Sequence, residues 1–94
     1  MVAIIETFRK EGWCGDLKIV TIQSTAAADT GYTIDFNTDV ADGKGMVFTE
    51  LLNMIVQDDA GLSTITDSSF DPATGIFTLG TVSTGIHNLT FIGY

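Results

Sequence analysis

The chain alternates between short apolar runs and clusters of turn residues. Residues 17–23 and 32–37 alternate apolar and polar side chains, which is the two-residue period of a strand with two different faces. Five more short runs are rich in β-branched and aromatic residues, and they lie over residues 2–8, 52–57, 62–67, 76–82 and 86–94. These runs predict strands.

The segments between the runs carry the Gly, Asp, Asn and Ser residues typical of turns. Two glycines within residues 11–16 predict a break after the first run. The sequence Asp-Pro-Ala-Thr-Gly over 71–75 predicts a hairpin in which Gly75 supplies a left-handed residue. Residues 37–45 predict a loop, and the apolar spacing that follows favours a short helical turn around 47–51.

Turn signals recur roughly every 8–12 residues, a spacing typical of sandwiches and barrels. We therefore predict an all-β fold, an antiparallel β-sandwich or barrel of about seven or eight short strands with at most one short helical turn. The length of 94 residues suits one domain over 1–94. Within it, residues 1–12 are predicted to form an N-terminal arm or an edge strand.

The composition indicates association with other subunits. Hydrophobic residues make up 45% of the chain and charged residues only 17%, so a small domain of this kind would expose much apolar surface. Extensive exposed apolar patches usually mark interfaces. We expect part of this surface to be buried against other subunits. The alternative is a monomer whose core buries an unusually large share of the apolar residues.

The formal net charge of −8 argues against nucleic acid and anionic membranes as partners. Binding to phosphates needs clustered basic residues. The whole basic supply is Arg9, Lys10, Lys18 and Lys44. We therefore expect neither nucleic acid nor membrane as a partner.

The single cysteine, Cys14, excludes an internal disulfide. It follows Trp13 in a Trp-Cys-Gly sequence, but redox chemistry of the thioredoxin kind needs a second cysteine. We expect Cys14 to be an inert, partly buried thiol. The N-terminal run is too short for a signal peptide or a membrane span, so we expect the protein to be made in a reducing cytoplasm.

Acidic side chains give an incomplete metal motif. Asp35, Asn37 and Asp39 match the first ligands of a calcium loop. That loop also needs glycine at its sixth position and glutamate at its twelfth, where this chain has Val40 and Met46. We predict no metal site and no cofactor, with the aspartates solvated in turns.

The single histidine, His87, raises the question of nucleophilic catalysis. A triad would also need a nucleophile turn such as G-x-S-x-G, which the sequence lacks. We predict a strand-end histidine bonded to a loop carbonyl. No catalytic residue is identified, and we expect the protein not to be an enzyme.

Apolar residues near the N-terminus are candidate partner contacts. A tryptophan between glycines, beside an apolar segment, is a plausible anchor in a partner pocket. The alternative is that Trp13 caps the core. The predicted interface residues are Ile4, Ile5, Phe8 and Trp13.

Four segments together carry a family resemblance, and they cover residues 30–35, 54–59, 71–75 and 88–94. Their succession of short strands and turns resembles small β-rich structural proteins of tailed bacteriophages, particularly the decoration (cement) proteins of capsids. The likeness is one of rhythm and composition over most of the chain, and no single segment is diagnostic.

The resemblance implies a non-enzymatic virion protein on the outer capsid surface. Its implied partners are the major capsid protein and copies of itself as a homo-oligomer. A tail, neck or head-completion component is an alternative with the same fold. A small carbohydrate- or calcium-binding β-module is the rival from another class, and a hydrolase is more remote.

Overall fold

The computed structural model describes residues 3–26, 30–36, 48–59, 64, 67–80 and 85–94. These residues form seven strands in two antiparallel sheets with essentially no helix, which confirms the all-β prediction. The strands are β1 (Glu6–Cys14), β2 (Leu17–Ser24), β3 (Thr33–Asp35), β4 (Leu51–Asp58), β5 (Ser69–Asp71), β6 (Ile76–Thr78) and β7 (His87–Gly93).

The larger sheet has four strands in the order β1-β2-β7-β4, and the smaller has three in the order β3-β6-β5. The last strand of the chain, β7, therefore lies inside the larger sheet and is paired on both sides. This position fits its sequence, since His87, Leu89, Phe91 and Gly93 are all buried and alternate with half-buried residues. The strands β1 and β4 form the two edges.

The first two strands form a long hairpin with a two-residue turn. The predicted break over residues 11–16 is wrong, because β1 runs through Gly12, which pairs with Ile19, as far as Cys14. The turn itself consists of Gly15 and Asp16. Gly15 has a φ of 62°, the positive value that two-residue hairpin turns require at their first position.

The predicted hairpin over residues 71–75 is confirmed, and it joins β5 to β6. The Asp71 carboxylate accepts a hydrogen bond from the Ala73 N–H at 2.9 Å. The Asp71 carbonyl accepts another from the Gly75 N–H at 2.8 Å. Gly75 has a φ of 73°, the left-handed conformation that glycine adopts without steric cost.

The helical turn predicted around 47–51 is not found in the described part of that segment. The N–H groups of Thr49 and Glu50 instead donate to the carbonyl of Tyr94, at 2.6 and 3.0 Å. This pairing with the end of the chain leads directly into β4 at Leu51. Residue 47, the predicted loop over 37–45 and most of the predicted strand over 62–67 lie outside the described residues; Thr64 makes an isolated bridge to Gln57.

The core lies between the two sheets and is centred on aromatic rings. The Phe36 ring contacts those of Phe48, Phe91 and Phe70 edge to face, with centroids 5.5, 4.9 and 6.2 Å away. Phe77 contacts Phe91 in the same way at 5.1 Å. Each such pair adds about 0.5–1.5 kcal/mol beyond its buried area, so these contacts fix the two sheets against one another.

An arginine on the edge strand covers one side of this core. Arg9 pairs with Ile22 across β1 and β2, and so it lies on the core-facing side of the sheet. Its guanidinium bonds to Glu6 at 2.6 Å and to Glu11 at 3.0 Å, and its central carbon is 5.7 Å from the centroid of the Phe36 ring. Most of the Arg9 side chain is therefore out of water.

Candidate interaction surface

The residue types of a catalytic triad come together at one end of the larger sheet. His87 pairs with Asp58 across β7 and β4, and its backbone N–H donates to the Ser24 hydroxyl at 2.9 Å. Ser24 and His87 are both fully buried. A serine, a histidine and an aspartate thus lie on three neighbouring strands.

Their hydrogen bonds differ from those of a triad. The Ser24 hydroxyl donates to the carbonyl of Thr25 at 3.0 Å, while the bond it accepts comes from the His87 backbone and not from the ring. Neither ring nitrogen of His87 has a hydrogen-bond partner in the described structure, so the predicted bond to a loop carbonyl is wrong. A nucleophile and its base must be bonded side chain to side chain, an arrangement not seen here.

Other candidate chemistry is sparse in the described part of the chain. Among those residues, no group of three or more histidine, cysteine or acidic side chains could hold a metal ion. Of the calcium-like positions, Asp35 lies on β3, whereas residues 37 and 39 are outside the described ranges. Cys14 is exposed, contrary to the expectation of a partly buried thiol, because it ends β1 beside the hairpin turn. Within the ranges described, no helix has the length and apolarity needed to cross a bilayer.

The four predicted interface residues fall in two different environments. Ile4 is only 6% exposed and belongs to the core, where its N–H donates to the Thr33 carbonyl at 2.8 Å. Ile5, Phe8 and Trp13 are exposed, Trp13 at 61%. Ile4 is therefore unavailable to a partner in this fold, whereas the other three side chains are accessible.

Trp13 is one of several exposed apolar side chains at one end of the larger sheet. The register places Trp13 opposite Lys18, and Lys18 opposite Gly93, which in turn pairs with Leu51. One exposed large apolar residue lies at or next to each of these positions, with Trp13 on the core-facing side of the sheet and Leu17 on the outer side. We call this end of the sheet the apical rim, and its exposed apolar members are Trp13, Leu17, Tyr94 and Leu52.

Two polar contacts hold the aromatic members of the apical rim. The Lys18 ammonium nitrogen is 5.5 Å from the centroid of the Trp13 ring, within the range of a cation–π interaction. The Tyr94 hydroxyl donates a short hydrogen bond to the Glu50 carboxylate. That bond, and then the negative charge of Glu50, raise the pKa of Tyr94 above its usual value. Trp and Tyr, both enriched in binding hot spots, are thus presented on an ordered scaffold.

The outer face of the larger sheet is free of carboxylates at its strand positions. Residues paired across strands share a face, and the buried residues Val20, Leu89 and Val56 mark the inner one. The outward positions of the described strands are Phe8, Lys10, Gly12, Cys14, Leu17, Ile19, Thr21, Gln23, Asn53, Ile55, Gln57, Asn88, Thr90 and Ile92. Lys10 is the one charged side chain in this set, although the chain as a whole carries −8.

Part of this face is organised by amide hydrogen bonds. Gln23 donates to Asn88 at 3.0 Å, and Asn88 donates to Asp59, just beyond β4, at 2.9 Å. Towards the β1 edge, a shallow open depression of about 340 Å³ lies beside Phe8, Trp13 and Ile19. The face is therefore polar around Gln23 and Asn88, and it is more apolar towards the hairpin, where Lys10 and Glu11 also line the depression.

Charge is distributed unevenly between the β1–β2 hairpin and the rest of the chain. Of the 12 acidic and four basic residues, three of each lie within 6–24, so the other nine acidic residues and one lysine account for the whole net charge of −8. The hairpin is a neutral region on an acidic protein. It is also where Phe8, Trp13 and Leu17 are exposed.

Sequence reasoning missed Leu17, Leu52 and Tyr94 as surface residues. All three were assigned to strands, where an apolar side chain is ordinarily a core candidate. Leu52 follows Leu51 at a register shift in β4, and Tyr94 lies just past the last paired residue. The consecutive leucines were the available signal, because two adjacent strand residues cannot both face the core.

Comparison with models of protein families, with curated proteins and with solved structures finds no match for this chain. Function is therefore inferred from the surface described above and from the resemblance in the sequence.

Proposed function

We propose that this chain is a non-enzymatic structural protein of a phage virion, in which the apical rim docks onto another protein. The specific reading is a capsid decoration protein that binds the major capsid protein on the outer surface of the shell. The observation that carries the docking function is the exposure of Trp13 at the end of the sheet where three other large apolar side chains are also exposed. The virion assignment is supported by the sequence resemblance.

The energetics of such a contact favour apolar anchoring. Large aromatic side chains that fill partner pockets dominate most interfaces, and the apical rim supplies two of them. Few ion pairs are available, since the hairpin has balanced charge and Arg9 is bonded to Glu6 and Glu11. Salt screens exposed charges but not apolar contacts, so we expect docking to persist at high ionic strength.

The charge distribution also suits an outward-facing position. Packaged DNA repels a surface with a net charge of −8, whereas the outside of a shell imposes no such penalty. A bound decoration protein stabilises the assembled lattice as a ligand does, by about 2.7 kcal/mol per site at a hundredfold excess over its dissociation constant.

The first experiment asks whether the chain is part of the particle. Virions of the phage that encodes it are purified, and the chain of 10.0 kDa is sought by mass spectrometry. Capsids assembled without it are then mixed with the pure protein, and bound copies and heat resistance are measured. Virion association with heat stabilisation supports the decoration role. Virions without the chain, or pure protein that binds DNA instead, would reject it.

The same particles distinguish the alternative location. A tail, neck or head-completion component would be present in whole virions but absent from tailless capsids. The rival β-module of another class is tested by titration with calcium and with oligosaccharides. No observation in the described residues favours that rival, because one exposed phenylalanine, Phe8, is the only aromatic among the outward strand positions.

A further inference from the structure

We infer that a second copy of this chain pairs with β1, so that two four-stranded sheets join into one antiparallel sheet. This inference concerns the edge strand β1, which includes Trp13 of the apical rim, and it does not depend on the virion assignment. The occupant we name is the same strand of an identical chain, related by a two-fold axis perpendicular to the sheet.

The edge formed by β1 is long. β1 has nine residues and no proline, and within the described ranges it is paired only with β2. The backbone groups along the far side of an edge strand are a template for another strand. Closed two-fold assemblies are the commonest oligomers, and in them one surface pairs with itself.

Electrostatics also favours contact through this edge. Two copies with a charge of −8 each repel one another over most of their surfaces. The β1–β2 hairpin carries no net charge, so contact through it brings the fewest like charges together. The balance of charge thus favours this edge for self-association.

The residues of β1 also favour one register for this pairing. Pairing over the full length of β1 places Lys10, its central residue, opposite Lys10 of the second copy. Arg9, which is already bonded to Glu6 and Glu11 of its own chain, then lies opposite the second copy's Glu11 on the core-facing side, so no like charges meet at these positions. Phe8 lies opposite Gly12 of the second copy on the outer side, where an aromatic ring covers the glycine. Shifting the centre to residue 9 or 11 would oppose two arginines or two glutamates.

This register contains one unfavourable pair, the two Lys10 side chains, which provides a test of the register. Like charges directly opposite on a sheet are destabilising, so the two Lys10 ammonium groups weaken the dimer. Replacing lysine with a β-former of no charge removes that repulsion. Lys10→Thr should therefore tighten dimerisation several-fold, as measured by sedimentation equilibrium.

A disulfide trap tests the geometry directly. Directly opposite residues of an antiparallel pair have Cα atoms about 4.5–5.5 Å apart, within the range a disulfide spans. Lys10→Cys in a Cys14→Ser background should form a covalent dimer on mild oxidation. The matched control is Thr21→Cys in the same background, because Thr21 is the β2 neighbour of Lys10 on the same face and lies about three strand spacings, or 14 Å, from its copy.

The cross-linking rates of the two cysteine variants decide the inference. Rapid cross-linking of Lys10→Cys but not of Thr21→Cys, with a wild-type mass near twice 10.0 kDa, supports the inference. If Lys10→Cys cross-links no faster than the control, the inference is overturned, whatever the mass in solution. Neither result bears on whether the chain is a virion component, so the two proposals fail independently.

Discussion

The backbone N–H of His87 donates to the Ser24 hydroxyl at 2.9 Å, and both residues are completely buried between the sheets. This bond joins β2 to β7 at the end of their ladder. It leaves the imidazole inside the core with neither nitrogen bonded to a described residue. Ser24 therefore satisfies the backbone of His87 but not its side chain.

Because neither imidazole nitrogen of His87 has a hydrogen-bond partner in the described structure, we predict that an apolar ring at position 87 is better tolerated than the native one. An unsatisfied buried polar group costs about 1–3 kcal/mol, so His87→Phe should raise the free energy of unfolding by about 1 kcal/mol. His87→Ala removes the ring and leaves a cavity, which should lower it by about 2–4 kcal/mol. Urea denaturation measures both changes. A large loss of stability in His87→Phe would show that the imidazole nitrogens are bonded in solution.

Two strand glycines, Gly93 and Gly12, allow a matched test of how tightly the sheet is packed. A Cβ at Gly93 would collide with the carbonyl oxygen of Glu50, whereas a Cβ at Gly12 would meet nothing within 4 Å. Gly93→Ala should therefore destabilise the fold by about 1–3 kcal/mol through overpacking. Gly12→Ala should be neutral or slightly stabilising. Equal effects of the two substitutions on the melting temperature would mean that Gly93 does not lie against the carbonyl oxygen of Glu50.

Features determined by neighbouring residues could be predicted from the sequence, whereas features that depend on contacts between distant parts of the chain could not. The hairpin over 71–75 was predictable because Asp71, Pro72 and Gly75 determine a turn locally. The course of β1 was not, since two glycines resemble a break until Gly12 is seen paired with Ile19. Glycine weakens a strand without ending it, and cross-strand pairing outweighed its local preference.

The exposed residues, too, were only partly predictable from the sequence. Phe8 and Trp13 were identified from an apolar segment next to the glycines, and both are exposed. Ile4 was chosen on the same grounds but lies in the core, because it pairs with Thr33 of the other sheet. The apical rim could not be predicted at all, since it exists only once β7 lies between β2 and β4.

The contact between Tyr94 and Glu50 predicts a loss of stability at high pH. The pKa of Tyr94 in the folded protein is raised above the ordinary value of 10.0, so the folded state holds the phenolic proton more tightly than the unfolded state. This contribution is complete below about pH 10 and is lost as the pH rises through the folded pKa. Tyr94→Phe should remove this part of the pH dependence in denaturation measured between neutral and strongly alkaline pH.

A variant without the negative charge of Glu50 tests what raises the pKa of Tyr94. Glu50→Gln keeps a hydrogen-bond acceptor but removes the negative charge, so the pKa of Tyr94 should fall towards 10.0. Ultraviolet absorbance of the phenolate follows the titration, and the Tyr94→Phe variant identifies the signal, since the chain has two tyrosines. An unchanged titration in Glu50→Gln would show that the carboxylate does not hold this proton in solution.

The central claim is that Trp13, on the apical rim, anchors the chain to its partner. It is tested most directly by the affinity of wild type, Trp13→Ala and Ile86→Ala for capsids that lack the protein. Ile86 is the control because it is an exposed apolar residue beside His87, at the opposite end of β7. Melting temperatures confirm first that both variants are folded.

The account predicts that Trp13→Ala weakens binding at least about tenfold, equivalent to about 1.4 kcal/mol, in both dilute buffer and about 1 M salt. Ile86→Ala should bind within about twofold of wild type, since most exposed side chains lie outside binding hot spots. Equal affinities for all three proteins, or wild-type binding that disappears in high salt, would contradict the claim.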